Sequence, residues 1–234
     1  MLTLHQRFDR LRHLAVACFE QHHRELIPVF EPYISASAIV IDVGAHAGQF
    51  AKLFADMAPD GHVYAFEPSA YARSILERAL AWNRVRNVSL IATGLSDIAG
   101  EAVLSTPIKA RGGFGFGLAS LGGTSGGRPS SDQTVPLQTL DAFAAGQGLT
   151  RLDFLKADVE GWEIHVVRGG IGTLRRFRPA LFLEVSDEAL TRAGETPATL
   201  WELLTPLGYQ ALKAPDFRPV ATFDGTSDYL FVAA

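Results

Sequence analysis

Short apolar runs alternate with longer amphipathic stretches along most of the chain. The apolar runs that predict buried strands are 39–43, 63–66, 88–92, 154–159 and 180–185. The amphipathic stretches that predict helices are 50–58, 70–84, 162–177 and 199–207, and closing strands are expected at 209–213 and 228–232. Strands that are apolar on both faces are typical of a parallel sheet covered by helices. The pattern predicts an α/β protein with a Rossmann-like, doubly wound, mostly parallel sheet and an antiparallel closing strand.

Two regions depart from this alternation. Residues 1–34 predict a helical N-terminal segment, because apolar residues recur every three or four positions until Pro28 and Pro32 end the helix. We expect this segment to pack on the main domain, residues 35–234, or to cap its substrate side. A Gly- and Ser-rich insert at about 105–132 lies between two predicted antiparallel strands, and is interpreted either as a mobile surface loop or as a lid over the active site.

Composition narrows the class of protein. A chain of 234 residues fits one domain, and the 47% hydrophobic content is enough for a substantial core. The net charge of −4 provides no general basic surface for nucleic acid. No apolar run approaches the roughly 20 residues that span a bilayer, and the charged N-terminus is unlike a signal peptide. We therefore expect a cytoplasmic protein without a membrane span, and leave its oligomeric state open.

The first candidate site is the turn after the first predicted strand, where Asp42, Gly44 and Gly48 are spaced as Asp-x-Gly-x-x-x-Gly. A dinucleotide site needs the tighter Gly-x-Gly-x-x-Gly spacing for its diphosphate. The looser turn with a preceding acid suits a nucleoside cofactor with a cationic amino-acid tail, such as S-adenosylmethionine. His46 lies inside this turn, and is interpreted either as a cofactor contact or as a small polar filler.

Acidic residues also follow the next two strands. Glu67 stands at the carboxyl end of the second strand, where a carboxylate accepts hydrogen bonds from a ribose diol. The structural alternative is an N-cap acid for the helix that follows. Ser96 and Asp97 come after the third strand and would lie near an adenine edge, or would form an ordinary turn.

A second cluster of charged residues occurs in the stretch Lys156–Glu163. Lys156 and Asp158 share one side of a strand by period-two alternation, so they predict either a reacting centre or an ion pair that holds the loop. Glu160 and Glu163 fall in the first helical turn, where the helix dipole favours acids. This explains Glu163 better than Glu160, which we predict to bind substrate.

Glu184 ends another apolar strand and should face the same crevice. Asp158 and Glu184 could then serve together, one as general base and the other as an orienting or metal-binding group. The only cysteine is Cys18, and no zinc-ligand spacing occurs, so no metal site is predicted.

Taken in order, these stretches resemble the signature blocks of the FkbM family of S-adenosylmethionine-dependent methyltransferases. The blocks are Val-Ile-Asp-Val-Gly-Ala-His-Ala-Gly, Ala-Phe-Glu-Pro, Leu-Ser-Asp, Leu-Lys-Ala-Asp-Val-Glu-Gly-Trp-Glu and Arg-Pro-Ala-Leu-Phe-Leu-Glu-Val, between 39 and 185. The resemblance implies the class I methyltransferase fold and O-methylation, often of sugar or polyketide hydroxyls.

The resemblance also implies roles for the individual residues. Asp42, Gly44 and Gly48 would line the methionine part of the cofactor, Glu67 would bind the ribose, and Ser96 with Asp97 would lie near the adenine. We add the hypothesis that Asp158 is the base that takes the proton of the acceptor hydroxyl, with Lys156 and Glu184 beside it.

Two other classes of protein stay open at this point. One is an NAD-linked oxidoreductase on a Rossmann scaffold, although the missing third glycine and the lack of a Tyr-x-x-x-Lys pair argue against it. The other is a non-catalytic protein that binds the cofactor. The expected partner is a small-molecule or carbohydrate acceptor, and no nucleic acid.

Overall fold

A computed structural model describes residues 4–107, 120–121 and 130–233. The helices are α1 Leu4–Phe19, α2 Ile27–Phe30, α3 Gln49–Met57, α4 Ala70–Trp82, α5 Leu140–Gly146, α6 Glu163–Arg168, α7 Ile171–Phe177, α8 Asp187–Arg192 and α9 Pro197–Leu204. The strands are β1 Ile39–Val43, β2 His62–Phe66, β3 Val88–Ile91, β4 Gly94–Leu95, β5 Gly100–Pro107, β6 Ser120–Leu121, β7 Ser130–Gln138, β8 Phe154–Ala157, β9 Ala180–Val185, β10 Tyr209–Lys213, β11 Arg218–Val220 and β12 Ser227–Ala233.

Within the described ranges, eight strands form the main sheet in the order β11-β10-β12-β9-β8-β1-β2-β3. The five strands from β9 to β3 are parallel to their neighbours, and β12 runs antiparallel between β9 and β10. The predicted doubly wound sheet with an antiparallel closing strand is therefore confirmed. Since parallel strands end at the same edge, the carboxyl ends of β9, β8, β1 and β2 meet side by side.

The core lies on both faces of this sheet because successive residues of each central strand point to opposite sides. Ile41 and Leu155 pack with the helices after β7, whereas Val40 and Phe154 pack against α2 and α3. On the second face Phe30 lies between Phe154 and Phe182, with ring centroids 5.0 Å from each. Burial on both faces makes the strand ends a rigid base for side chains that leave the edge of the sheet.

The N-terminal helix α1 packs on α4. Ala17 of α1 is fully buried against Ile75 and Ala79 of α4. By contrast, Phe8 and Phe19 of α1 are exposed, so the apolar spacing predicted a helix but did not mark the face that packs. The prediction that Pro28 and Pro32 end this helix is wrong, because α1 ends at Phe19 and Pro28 stands in the first turn of α2, where its missing N–H costs no helical bond.

The chain between β3 and β8 forms a second, smaller sheet with the strand order β4-β7-β5-β6. Strands β5 and β7 are antiparallel, with Leu104 opposite Gln133, as expected for the flanks of the insert. The predicted insert at 105–132 falls largely on 108–119 and 122–129, which lie outside the described residues, so its interpretation as loop or lid stays a prediction.

Two helical predictions need correction. The single helix expected at 162–177 is two helices, α6 and α7, separated at Gly169 and Gly170. A Cβ on Gly169 would lie 2.0 Å from the carbonyl oxygen of Ser96, so a close backbone contact requires glycine where the helix breaks. The sequence also did not reveal α5, which begins at an N-cap, Thr139, whose Oγ1 accepts a hydrogen bond from the amide of Ala142 at 3.0 Å.

Candidate active site

A cavity of about 610 Å³ opens at the carboxyl ends of β1, β2, β8 and β9. The sequence-predicted site residues on its wall are Gly44, His46, Glu67, Lys156, Asp158, Glu160 and Glu184. Glu67 follows β2 and Glu184 is the penultimate residue of β9, and these strands are three positions apart in the sheet, which is roughly 14 Å at the usual strand spacing. The cavity therefore has a Glu67 end and an Asp158–Glu184 end.

The glycine turn after β1 is shaped by close contact with the loop after β8. Gly44 has a φ of 75°, and a Cβ there would lie 2.1 Å from the carbonyl oxygen of Asp158. The amides of Gly44 and Ala45 donate hydrogen bonds to the carbonyl oxygen of Phe66, each at 3.0 Å. Only glycine accommodates this approach, which joins the ends of β1, β2 and β8 into one surface.

Glu67 is held by backbone groups on both sides. Its Oε2 accepts a hydrogen bond from the amide of His46, and its Oε1 accepts one from the amide of Ser69, each at 2.8 Å. Ser69, and not Glu67, is the N-cap of α4. Each carboxylate oxygen has a second lone pair, so the group can still accept hydrogen bonds from hydroxyls of a ligand in the cavity. Burial raises the pKa of Glu67 to about 7, and the two backbone bonds oppose this rise.

Lys156 links the glycine turn to the Asp158 loop. Its Nζ lies 3.5 Å from Oδ1 of Asp42 and 3.6 Å from Oδ2 of Asp158, and it donates to the carbonyl oxygens of Val43 and Gly44 at 3.4 and 3.3 Å. Burial alone lowers the pKa of Lys156, but the carboxylates of Asp158 and Asp42 outweigh it and raise the pKa. Lys156 is therefore a buried cation, and the ion pair expected as the structural alternative is present.

Asp158 and Glu184 are neighbouring acids on the cavity wall, and each shifts the pKa of the other. Burial raises the pKa of Glu184 to about 8, and the negative charge of Asp158 adds to this rise. Burial works against ionisation of Asp158 as well, but the ammonium of Lys156 and the neighbouring Glu184 hold its pKa below the usual range. The two acids therefore differ: Asp158 favours its ionised form, and Glu184 favours its neutral form.

The loop that follows Asp158 is clamped from below by Glu163. This side chain is buried, and its Oε1 accepts hydrogen bonds from the amides of Val159 at 2.8 Å and Gly161 at 3.4 Å. Glu163 therefore does more than complement the helix dipole. Glu160 has a φ of 55° and lines the cavity, and burial raises its pKa. The clamp fixes the backbone from which Asp158 and Glu160 project.

His46 is a neutral group in the glycine turn. Burial lowers its pKa to about 4, and the nearby ammonium of Lys156 acts in the same direction. Its φ of 50° is unusual for a residue with a side chain. The amide of His46 holds Glu67, so the backbone of this residue contributes to the site whether or not its ring contacts a ligand.

Four predicted site residues do not lie on the wall of this cavity. Asp42 is fully buried behind Lys156. Gly48 packs under Leu76, and a Cβ added to Gly48 would lie 2.3 Å from Cδ1 of Leu76. Ser96 and Asp97 turn away because the chain after β3 enters the second sheet, where the amide of Ser96 donates to Gln138 at 2.9 Å. Their proposed contacts with the cofactor stay predictions.

Ser96 and Asp97 instead belong to a polar network under α6. The hydroxyl of Ser96 donates to Oδ1 of Asp97 at 3.0 Å and accepts from Nε1 of Trp162 at 3.2 Å. Nδ1 of His165 lies 3.3 Å from the same Asp97 oxygen. These bonds stabilise the contact between the loop after β4 and α6. The contact lies beside Gly169, where the backbone approaches Ser96 closely and α6 ends.

The cavity also has walls that motif analysis missed. Phe50, His22, His23 and Gln133 line it. Phe50 adjoins the glycine turn, so its position in the sequence was a usable signal. His22 and His23 come from the N-terminal segment, and Gln133 from β7, and no local pattern links them to the motifs. Only the packing of these elements brings them to the strand ends.

Within the described ranges, no group of three or more His, Cys, Asp and Glu side chains is arranged to hold a metal ion. No helix in the described part of the chain is both long and apolar enough to cross a membrane.

Comparison with known families identifies this arrangement. The model of the methyltransferase FkbM domain matches residues 42–211, which is well over half of the chain. The chain belongs to the FkbM methyltransferase family. The matched range begins at Asp42 and includes the glycine turn, Glu67, the Lys156–Glu163 stretch and Glu184. This confirms the family resemblance, and the protein has the class I methyltransferase fold.

Curated relatives of this FkbM protein are distant in sequence. The 2-O-methyltransferase NoeI of Sinorhizobium fredii is 26% identical over 216 residues, covering 86% of this chain and 79% of NoeI. The AMB antimetabolite synthetase AmbE of Pseudomonas aeruginosa is 29% identical over 224 residues, covering 82% of this chain and 10% of AmbE. The chain thus spans a small part of AmbE and most of NoeI.

A solved structure supports the fold. The methyltransferase FkbM from Methylobacillus flagellatus KT superposes with a TM-score of 0.52 at 13% sequence identity. The alignment covers 96% of this chain and 59% of that one. At this identity the likeness concerns the architecture alone.

Proposed function

We propose that this FkbM methyltransferase transfers a methyl group from S-adenosylmethionine to a hydroxyl of a sugar or another small metabolite. The proposal is carried by one observation. A single cavity has an anchored carboxylate, Glu67, at one end and two neighbouring acids, Asp158 and Glu184, at the other. The first suits a ribose diol, and the second suits the proton that leaves a hydroxyl during methylation.

The residues at the Glu67 end fit the cofactor. Glu67 keeps lone pairs for the ribose hydroxyls after its two backbone bonds are made. The turn at Gly44 leaves no room for a side chain, so a ligand can lie against the backbone there. The carboxylate of Asp158, which is partly exposed, offers a negative charge near a cationic sulfur. The bound cofactor would supply an activated methyl group on that sulfur.

The remaining task of the protein is to align the acceptor oxygen and to remove its proton. Alignment in a closed cavity supplies up to about 7–11 kcal/mol of the barrier in favourable cases, and a positioned base adds roughly 10²–10⁴-fold in rate. We assign proton removal to the carboxylate of Asp158, with Glu184 sharing the charge. Lys156 acts as a positioning residue, because its buried ammonium holds Asp158 against the glycine turn.

Hydroxyl methylation is supported by the relationship to NoeI, which is described as a 2-O-methyltransferase, although the identity is 26%. Family membership favours methyl transfer over NAD-linked oxidoreduction. A protein that binds the cofactor without catalysis stays the second alternative, and it differs in that no acceptor would receive a methyl group.

Calorimetry followed by an acceptor screen tests the proposal. We expect S-adenosylhomocysteine to bind the protein and NAD not to bind it. Incubation with isotopically labelled S-adenosylmethionine and a panel of hydroxylated small molecules should then produce a labelled methyl ether, detected by mass spectrometry. Binding of NAD instead would support the oxidoreductase alternative, and tight cofactor binding without any labelled product would support the non-catalytic one.

A further inference from the structure

One wall of the cavity comes from outside the region that the family model matches. His22 and His23 lie on the wall of the cavity that Asp158 and Glu184 also line, whereas the family match begins at residue 42. These histidines belong to the turn between α1 and α2, residues 20–23, which we call the histidine turn. The common methyltransferase architecture does not by itself supply this wall.

The histidine turn is fixed to the domain by side chains of α3. Nζ of Lys52, which is buried, donates to the carbonyl oxygen of Ala17 at 2.6 Å and to that of Glu20 at 3.0 Å. The amide of His22 donates to Oε1 of Gln49 at 3.1 Å, and Nε2 of Gln21 donates to the carbonyl oxygen of Gln49 at 2.9 Å. These bonds satisfy the free carbonyl groups at the end of α1 and hold the turn in place.

The turn faces the proton-accepting end of the cavity. The ring of His23 stacks on Phe50 with centroids 4.3 Å apart and an interplanar angle of 11°. The Phe50 ring in turn lies 5.1 Å from Nζ of Lys156. Burial lowers the pKa of His23, and the charges of Lys156 and Asp158 also reach this ring. Phe50 therefore lies between the His23 ring and the ammonium of Lys156, which positions Asp158.

The side chains around this end favour one kind of acceptor. The face of the His23 ring that is not stacked on Phe50 is a flat, weakly polar surface, which suits the C–H face of a sugar ring. Oxygens of Asp158, Glu160 and Glu184 lie on the same cavity and can accept hydrogen bonds from several hydroxyls. An acceptor with its own carboxylate or phosphate would meet the negative charge of Asp158. A neutral, polyhydroxylated ring satisfies both surfaces.

We infer that the histidine turn forms the acceptor subsite, and that this subsite selects a neutral sugar ring over an anionic one. The inference rests on the proposed function, because it takes the Glu67 end as the cofactor side. It goes further in naming His23 and Phe50 as residues that determine acceptor specificity.

Binding of defined sugars tests the inference without requiring methyl transfer. The probes are methyl hexopyranosides and the corresponding methyl hexopyranosiduronates, titrated into the full chain with and without S-adenosylhomocysteine, and observed by saturation-transfer NMR. We expect one or more neutral glycosides to bind, and the matching uronate to bind at least 10-fold more weakly. His23→Ala should weaken glycoside binding at least 10-fold and leave the affinity for S-adenosylhomocysteine within two-fold.

His62→Ala is the matched control. His62 is also a partly buried histidine, and its aromatic neighbour is Tyr64. It is the first residue of β2, so it lies at the amino ends of the parallel strands, away from the cavity, and its Nε2 forms a hydrogen bond with the hydroxyl of Ser89 at 2.9 Å. We expect this variant to bind glycosides as the wild type does. Gln21→Ala, which removes an anchor of the histidine turn and no ring, should weaken glycoside binding about three-fold, and it decides the question if His23→Ala does not fold.

Several results would overturn the inference. These are unchanged glycoside binding by His23→Ala, a uronate that binds as well as its neutral counterpart, no binding of any neutral glycoside, and an equal loss of both ligands in His23→Ala. Failure of the wild type to bind S-adenosylhomocysteine would instead remove the proposed function, while sugar binding by the apoprotein would still report on the histidine turn.

Discussion

The two ends of the cavity use the same kind of residue in opposite ways. Glu67 and Glu184 are both acids at or near the carboxyl ends of parallel strands, and burial raises the pKa of each, to about 7 and about 8. Glu67 has two backbone N–H groups as partners, whereas Glu184 has a second acid, Asp158. A backbone amide can only donate, so it favours a fixed carboxylate. A neighbouring carboxylate repels a second negative charge, so it favours the protonated form of Glu184.

Under the proposed function, this contrast separates cofactor binding from proton removal within one cavity. At the Glu67 end, two backbone N–H groups fix the orientation of the Glu67 carboxylate, and its oxygens keep lone pairs for a ligand. At the other end, the Lys156 ammonium keeps Asp158 ionised while Glu184 retains a proton. Substitutions at the two ends should therefore affect different measured quantities, cofactor affinity at one and turnover at the other.

The largest effect is expected at the chemical end. Asp158→Asn should lower the rate of methyl transfer by roughly 10²–10⁴-fold, because the amide cannot take the hydroxyl proton. The dissociation constant for S-adenosylhomocysteine should change by only a few-fold. Steady-state kinetics and calorimetry on the same samples measure the two quantities. Asp56→Asn, at an exposed position of α3, is the control. Unchanged turnover in Asp158→Asn would exclude this residue as the base.

At the binding end, Glu67→Gln should weaken the binding of S-adenosylhomocysteine by about 10–100-fold. This corresponds to the roughly 1.5–3 kcal/mol that hydrogen bonds to a charged group contribute. The glutamine amide nitrogen would also have to face the backbone amide of His46 or Ser69, with no proton acceptor there. Calorimetry gives the affinity, and the exposed Glu77 on α4 provides the control Glu77→Gln. Unaltered affinity would mean that the cofactor does not use this carboxylate.

The contact that joins the two ends is tested by Gly44→Ala. The added Cβ would lie 2.1 Å from the carbonyl oxygen of Asp158, at a φ of 75° that side chains rarely adopt. We expect the free energy of unfolding to fall by about 1–3 kcal/mol, together with weaker cofactor binding. Chemical denaturation measures this, and Gly100→Ala, where a Cβ has no neighbour within 4 Å, serves as the control. Equal free energies of unfolding for the two variants would show that the glycine turn accommodates a Cβ at residue 44 without strain.

The smallest effect is a change in the pH dependence of stability. The pKa of Glu184 is raised in the folded protein to about 8, so between about pH 5 and pH 8 the native state binds more protons than the unfolded chain. The stability that this group contributes is therefore complete at low pH and is lost as the pH rises through about 8. Melting temperatures measured from pH 5 to pH 9 should fall less steeply in Glu184→Gln than in the wild type.

The exposed acid Glu188 provides the control, because Glu188→Gln should keep the wild-type slope. If Glu184 limits turnover as well, the pH dependence of the methyl-transfer rate should lose its inflection near pH 8 in Glu184→Gln. A wild-type slope in Glu184→Gln would contradict the raised pKa of Glu184.

Local pattern predicted the sheet and most of the site because both depend on short-range signals. Continuous apolar runs identified the parallel strands, and the acids at their ends necessarily meet at one edge. In this way Glu67, Asp158, Glu160 and Glu184 were placed on one cavity before any contact was known. The break between α6 and α7 was not predictable in the same way, since Gly169 is required by the backbone of Ser96, which is distant in sequence.

The amino-acid sequence by itself determined the order of the parallel strands, the family, and which acids stand at or near the ends of the central strands. Those properties follow from periodicity and from motifs within a few residues of one another. Only the tertiary structure decided that Asp42 lies behind Lys156, that Asp158 and Glu184 are neighbours, and that His22 and His23 line the same cavity. Burial and partners set the charge of a side chain, and both are contributed by segments far apart in the chain.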